Sequence, residues 1–361
     1  MPGFTERNFP FSAFKSTMAL HSAGLRHILK WLPNALLFLP VAAGSVGAQT
    51  KDHVGDVTGM QTSNPADLGG VVVKELRSGL YWVSDGAYNT MFLVSTRGVI
   101  AVDPLPTLGP RYIAAIRSVT SQPITHIVYS HEHIDHIGGA EAFPKGLTII
   151  AQRFTYEALG RQSDPRRPLP TVVFDKDYTL RVGDQVLELH NRGPGHSPGN
   201  VFIYAPRQKV LMLVDIVYPG YMPYPNLGVA ADVAGYMQAH RDALTFDFED
   251  FIGGHVDRLG TRADVENSMI FTDDLLSTTR RLLAEKPFPV YLKERKPEPG
   301  SSVWFAHDDY ERERVDKCYQ TLAPKWAPIL RGTERFLASH CWKAIVGWAI
   351  ELPADFLKDE K

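Results

Sequence analysis

What this chain of 361 residues lacks narrows its chemistry at once. It has two cysteines, Cys318 and Cys341, both near the C-terminus, and no Cys-x-x-Cys pair. A thiolate zinc site is therefore not expected. The two cysteines either form a disulfide, if the protein is exported, or pack as unpaired thiols among C-terminal helices. No block of like charge is present, and the formal net charge is −2. That argues against a nucleic-acid partner, which demands a concentrated basic face. The chain shows no internal repeat and no low-complexity tract. Hydrophobic residues make up 44% and charged residues 22%, the balance of a globular protein that buries a sizeable core.

Nor is a membrane span expected. The one long apolar stretch, residues 31–46, falls short of the roughly 20 residues a span needs, and Pro33, Asn34 and Pro40 interrupt it. Arg26, His27 and Lys30 precede it, and Gly44-Ser45-Val46-Gly47-Ala48 follows. A basic start, an apolar middle and a small-residue end make a secretory signal peptide. Residues 1–48 are read as that peptide, with Met1 or Met18 as the start. The competing readings are a disordered tail or an uncleaved anchor. The expected location is periplasmic or secreted, with no stable membrane insertion after cleavage. Residues 49–68 are polar, rich in Asp, Gly, Ser and Thr, and read as a linker.

From residue 71 the chain turns to short β-rich runs mixed with helices. Strands are expected at 71–74, 80–83, 91–95 and 99–102, the last two joined as a hairpin by Arg97-Gly98. Further strands are expected at 124–129, 148–150, 178–181, 185–189, 201–205 and 210–214. Helices are expected at 110–119, 153–159, 233–244 and 263–285. Hairpins this frequent favour two mixed sheets with helices outside over a parallel doubly wound sheet. Residues 287–300, rich in Pro, Lys and Glu, read as a connector. Residues 303–355 read as two or three helices carrying Trp304, Trp326, Trp342 and Trp348.

The decisive run is Tyr129-Ser130-His131-Glu132-His133-Ile134-Asp135-His136-Ile137-Gly138-Gly139. It follows an apolar strand and ends in a glycine pair able to open a helix. Imidazole and carboxylate are zinc ligands at about 2.0–2.2 Å. A tight turn after a strand aims alternate side chains the same way. His131 and His133 would then face one metal, and Asp135 and His136 a second. Further ligands are expected at other strand ends. Gly195-His196-Ser197-Pro198-Gly199 offers His196. Asp215 ends the apolar run 210–214, where a buried carboxylate needs a partner. His255 follows Ile252-Gly253-Gly254. His190, inside a strand pattern, is read as structural. Each of these also has a plainer reading as a loop, capping or packed side chain.

Taken in order, these motifs resemble the metallo-β-lactamase superfamily over roughly residues 71–285. The resemblance implies an αββα sandwich, a catalytic domain at 69–286 and a C-terminal helical extension at 287–361. It implies two Zn²⁺ per chain. His131, His133 and His196 would hold the first, Asp135, His136 and His255 the second, and Asp215 would bridge. Asp103 matches a position that supports the site from behind the ligands. Tyr218, three residues after Asp215, matches a tyrosine that assists at the substrate carbonyl in acyl-homoserine-lactone hydrolases of this superfamily. Asp135 and Tyr218 are the expected catalytic residues, and residues 218–225 one apolar wall of the cleft.

Two metals sharing one water make hydroxide available at neutral pH. The expected function is a zinc-dependent hydrolase that uses it to cleave a lactone or carboxylic ester with an apolar portion. The alternatives are a β-lactam, thioester or organophosphate hydrolase of the same fold, or a mononuclear iron enzyme like the persulfide dioxygenases. A binding protein with a vestigial site is the remaining reading. The partner is a small-molecule substrate. The C-terminal extension packs on the sandwich, caps the active site or makes a homodimer contact.

Overall fold

The computed structural model describes residues 69–295, 302–353 and 356. The expected signal peptide and linker lie outside the described residues. Two sheets stack face to face. The first runs β1 (Val72–Arg77), β2 (Leu80–Ser84), β3 (Asn89–Ser95), β4 (Gly98–Val102), β5 (Ile124–Val128), β6 (Thr148–Gln152) and β7 (Val172–Phe174) in that spatial order. Its first four strands are antiparallel and β4 to β7 parallel. The second holds β8 (Asp177–Val182), β9 (Gln185–His190), β10 (Phe202–Ala205), β11 (Val210–Met212) and β12 (Asp250–Ile252). Only β11 and β12 pair in parallel there.

Residue alternation explains the stacking. In β8, Leu180 and Val182 turn inward while Asp177, Thr179 and Arg181 face solvent, and β9 buries Leu187 and Leu189 from alternate positions. A strand's period of two places such residues on one face. Trp82, Met91, Ile100 and Val128 of the first sheet meet Leu187, Ile203, Met212 and Ile252 of the second. Each fully buried side chain of this size contributes about 1.5–3 kcal/mol.

Helices α1 (Pro110–Val119), α2 (Ile134–Ile137) and α3 (Arg153–Gln162) follow strands of the first sheet. Tyr112, Ile116, Ile137 and Leu159 pack with its outer face. On the far side lie α4 (Val233–Ala243), α5 (Arg262–Glu285), α6 (Phe288–Arg295), α7 (Val303–Trp326) and α8 (Thr333–Ile350). Phe202 and Leu211 of the second sheet share one apolar cluster with Tyr236, Phe271, Leu322 and Leu337. The layers are therefore α, β, β, α, and the C-terminal helices belong to the outer one.

Two sequence expectations change. The segment 287–300 is not a plain connector, because α6 occupies much of it. Its Phe288 and Tyr291 rings lie 5.4 and 5.2 Å from Tyr310 of α7. Aromatic packing overrides a composition that reads as linker. Of the glycine pair read as able to open a helix, Gly138 closes α2 and Gly139 precedes the short 3₁₀ turn Ala140–Ala142. The open question over Cys318 and Cys341 resolves to a disulfide joining α7 to α8.

At the start of β12, Arg77 from β1 bridges the two sheets. It donates to the Gln208 carbonyl at 2.7 Å and pairs with Glu249 and Asp250. Buried Gln185 and Gln208 add donors to the Ser78 carbonyl.

Two fully buried histidines outside the expected ligand set contribute to an acid limit. Burial pushes His240 of α4 down to about 4 and His340 of α8 down to about 3. The unfolded chain, at the ordinary histidine value near 6.5, binds more protons than the fold below that pH, so stability falls with falling pH. The expected slope is up to about 1.4 kcal/mol per pH unit for each histidine between pH 6.5 and 4. Urea unfolding of chelator-treated protein across that window measures it. His240→Gln should flatten the slope by one proton, and an unchanged slope would show that His240 does not set it.

Candidate metal centre

The centre lies at the ends of strands from both sheets. β5 leads into Ser130 and His131, and the chain turns at His133 into α2, whose first turn carries Asp135 and His136. Buried Asp103, after β4, accepts the Ser130 N–H at 2.7 Å and so fixes the chain immediately before His131. Burial raises the Asp103 carboxyl to about 6, against the pull of His136. Asp103 and Asp215 both adopt positive φ, 36° and 64°. Aspartate tolerates that region better than most residues, and such outliers concentrate at functional sites.

All seven expected ligands converge. The Nε2 of His196 lies 2.9 Å from His133 Nδ1 and 3.3 Å from His131 Nε2. Asp215 Oδ2 lies 3.1 Å from His196 Nε2, 3.5 Å from His131 Nε2 and 3.1 Å from His136 Nε2. Its Oδ1 lies 2.8 Å from His255 Nε2. His136 and His255 face each other at 3.1 Å, with Asp135 Oδ2 at 3.5 and 3.9 Å from them. The side chains fall into two groups, His131, His133, His196 and Asp215 in one and Asp135, His136 and His255 in the other.

The donor set fits metal ions. His196 Nδ1 donates to the Gly228 carbonyl at 2.6 Å, which leaves Nε2 as a lone pair. That lone pair faces two further ring nitrogens in a buried space. A cation satisfies them together, and a ring N–H tied to a carbonyl is the usual support of a metal-binding histidine. Burial and the neighbouring imidazoles push His131 and His133 down, toward the neutral form a ligand needs. Burial alone would lower His136 as well, but Asp215, with Asp135 and Asp103, raises it to about 9. Burial would raise Asp215, yet His136 and His196 hold it well below the usual carboxylate range.

With that geometry in place, residues 83–255 match the profile of the metallo-β-lactamase superfamily. That segment is a metallo-β-lactamase superfamily domain. The 2,4-dinitroanisole O-demethylase subunit alpha of Nocardioides sp. (strain JS1661) is 28% identical over 199 residues, 53% of this chain and 60% of that protein. The N-acyl homoserine lactonase of Bacillus cereus is 32% identical over 125 residues, 32% of this chain and 48% of that protein. The chain thus spans 48% to 60% of the length of these two relatives. A metallo-beta-lactamase from Pontibacter korlensis shares the fold, with a TM-score of 0.50 and 21% identity over 56% of this chain and 99% of that one.

Several supports of this superfamily site carry no short sequence signal. Asn89, buried in β3, donates to the His255 and Val256 carbonyls at 2.8 Å each and accepts from the Trp82 indole. Asn200 donates to the Val214 carbonyl, one residue before Asp215. Tyr88 lays its ring 4.6 Å from His255. These residues lie from 14 to 167 positions from what they hold. His190, read as structural, pairs with Asp177 away from the metals.

A cavity of about 340 Å³ opens beside His255, walled by Tyr218, Tyr221, Met222, Tyr224 and Phe336. The expected wall at 218–225 is there, and the C-terminal helix α8 adds Phe336. The Tyr218 ring stacks on His255 at 5.5 Å. Burial and the Asp215 charge hold its phenol well above the ordinary value, so it stays protonated.

Proposed function

We propose that the protein is a zinc-dependent hydrolase cleaving a lactone or carboxylic ester with an apolar portion, using two Zn²⁺ ions. The observation that carries this reading is Asp215, whose two oxygens face His196 and His255 from the two ligand groups. His131, His133 and His196 would hold the first ion, Asp135, His136 and His255 the second, with Asp215 shared. Bound there, zinc makes hydroxide available at neutral pH and polarises a carbonyl.

The chain's own residues do the rest. The Asp135 side chain is 41% exposed while the Asp215 side chain is 5% exposed. Asp135 is therefore the carboxylate that reaches arriving water, and its Oδ2 can orient that water and take its proton. The Tyr218 phenol donates to the oxyanion that forms at the substrate carbonyl. The tyrosine and Phe336 wall excludes water and holds the apolar part of the substrate. The similarity to an N-acyl homoserine lactonase supports this reading. A second reading, cleavage of an aryl methyl ether, draws on the aromatic wall and on the similarity to the O-demethylase subunit.

A hydrolysis screen of zinc-loaded protein over lactones, aryl esters, thioesters, β-lactams and nitroaryl methyl ethers tests the proposal. Turnover of acyl lactones or esters, abolished by chelator and restored by zinc, is expected. Turnover of β-lactams or aryl ethers alone would replace the substrate class. One tightly bound iron in place of zinc would replace the hydrolase by an oxygenase. Tyr218→Phe is expected to lower kcat roughly 10- to 100-fold, and wild-type kinetics would leave Tyr218 a wall residue only. Export is part of the proposal, supported by the Cys318–Cys341 disulfide, which persists in oxidising compartments.

A further inference from the structure

The C-terminal helix α8 connects to His196 through three hydrogen bonds made by one turn, residues 226–229. The chain begins at His196, whose Nδ1 donates to the Gly228 carbonyl at 2.6 Å. Gly228 sits in an unusual stretch. Asn226, Leu227, Gly228 and Val229 all adopt positive φ, at 58°, 58°, 63° and 53°. Left-handed backbone at three non-glycine residues, one of them β-branched, costs about 1 kcal/mol or more each. Such a turn persists only where its surroundings hold it.

What holds it is α8. The Leu227 N–H donates to His340 Nδ1 at 3.0 Å, and the Asn226 N–H donates to Ser339 Oγ at 3.1 Å. His340 is fully buried, with the Pro223 carbonyl close to its ring. Burial holds the ring neutral, so Nδ1 remains an acceptor for Leu227. The next residue, Cys341, is disulfide-bonded to Cys318 of α7. A helix anchored in the apolar cluster thus grips a strained turn by two backbone amides, and the turn presents the carbonyl that orients a ligand.

We propose that His340 is a positioning residue for the metal centre: by accepting the Leu227 N–H it fixes the 226–229 turn, and through the Gly228 carbonyl it fixes the ring of His196. The C-terminal extension, outside the matched superfamily segment, is then part of the metal-binding apparatus. This inference rests on His196 being a ligand.

The test is a pair of amide substitutions. In His340→Asn the amide oxygen stands as many bonds from Cα as Nδ1 does and keeps the acceptor. In His340→Gln it stands one bond further and loses it. The readout is zinc affinity by competition with a chromophoric chelator, with kcat and KM alongside. H340N is expected to stay within about threefold of wild type, and H340Q to lose roughly 10- to 100-fold in affinity, with kcat falling more than KM rises. Should H340Q fail to fold, Ser339→Ala removes the neighbouring tie alone and is expected to weaken zinc about threefold. Equal zinc affinity in wild type, H340N and H340Q, or wild-type affinity in S339A when that variant is needed, overturns the proposal. A wild-type protein that takes up no zinc would overturn the ligand reading itself, and this inference with it.

Discussion

Asp215→Ala is expected to remove both metals and to lower kcat/KM by about 10³-fold or more, the largest loss from a single side chain here. Asp215 lies within 3.5 Å of the ring nitrogens of His131, His136, His196 and His255. No neighbouring carboxylate can replace it, since Asp135 approaches only His136 and His255. Without Asp215, the rings of His131, His133 and His196 crowd together with no carboxylate in their group, and the site no longer offers one shared by both groups. The metal-free fold also loses the partner of a buried cation, because Asp215 is the main charge holding His136 up to about 9. Breaking such a pair costs roughly 3–5 kcal/mol. Metal analysis after zinc dialysis, with a urea midpoint on the metal-free protein, checks both effects. Two retained zinc ions in Asp215→Ala would sink the shared-ligand reading.

Gly235→Ala is expected to be the most damaging change of one carbon in the outer layers, at about 3 kcal/mol. A Cβ on Gly235 would stand 1.7 Å from the Pro194 carbonyl oxygen and 2.8 Å from its carbon. Nothing flexible is there to yield. The first turn of α4 presses directly on the loop that carries His196, and Asp232 caps the helix by accepting the Gly235 N–H. The same loop is tied from behind, where the Ala231 and Asp232 N–H groups donate to the His196 and Gly195 carbonyls. Pushing α4 away therefore moves the ligand. Equilibrium unfolding and zinc affinity should fall together, and a drop in stability alone would separate the helix contact from the metal loop.

Why some of this is legible in sequence and some is not follows from distance along the chain. The ligand run from His131 to His136 is contiguous, and glycines flank the isolated ligands His196 and His255, so residue type and spacing reveal them. The hairpins at 91–102 and 178–189 are local, and their boundaries shift by only a few residues. Strands β7 and β12 have three residues each, too few to show a period, and exist because neighbouring strands pair with them. Gly235, Asn89 and His340 act across 41, 166 and 113 positions. Their importance lies in what they meet, which no local pattern encodes. The helix α6 hides for the same reason, since Tyr310 lies some twenty residues downstream of the rings it packs.

The bridge made by Arg77 has a consequence for how the empty and loaded proteins differ. β12 begins at Asp250, beside that bridge, and ends toward His255. With the proposed zinc bound, the sandwich would be clasped at opposite rims, by the Arg77 ionic latch at one and by exchangeable cations at the other. Withdrawing zinc should let the halves breathe at the ligand rim while the latch keeps them in register. Amide exchange would then quicken around residues 131–136 and 195–198 but not around 77 and 208, and reloading would proceed without refolding.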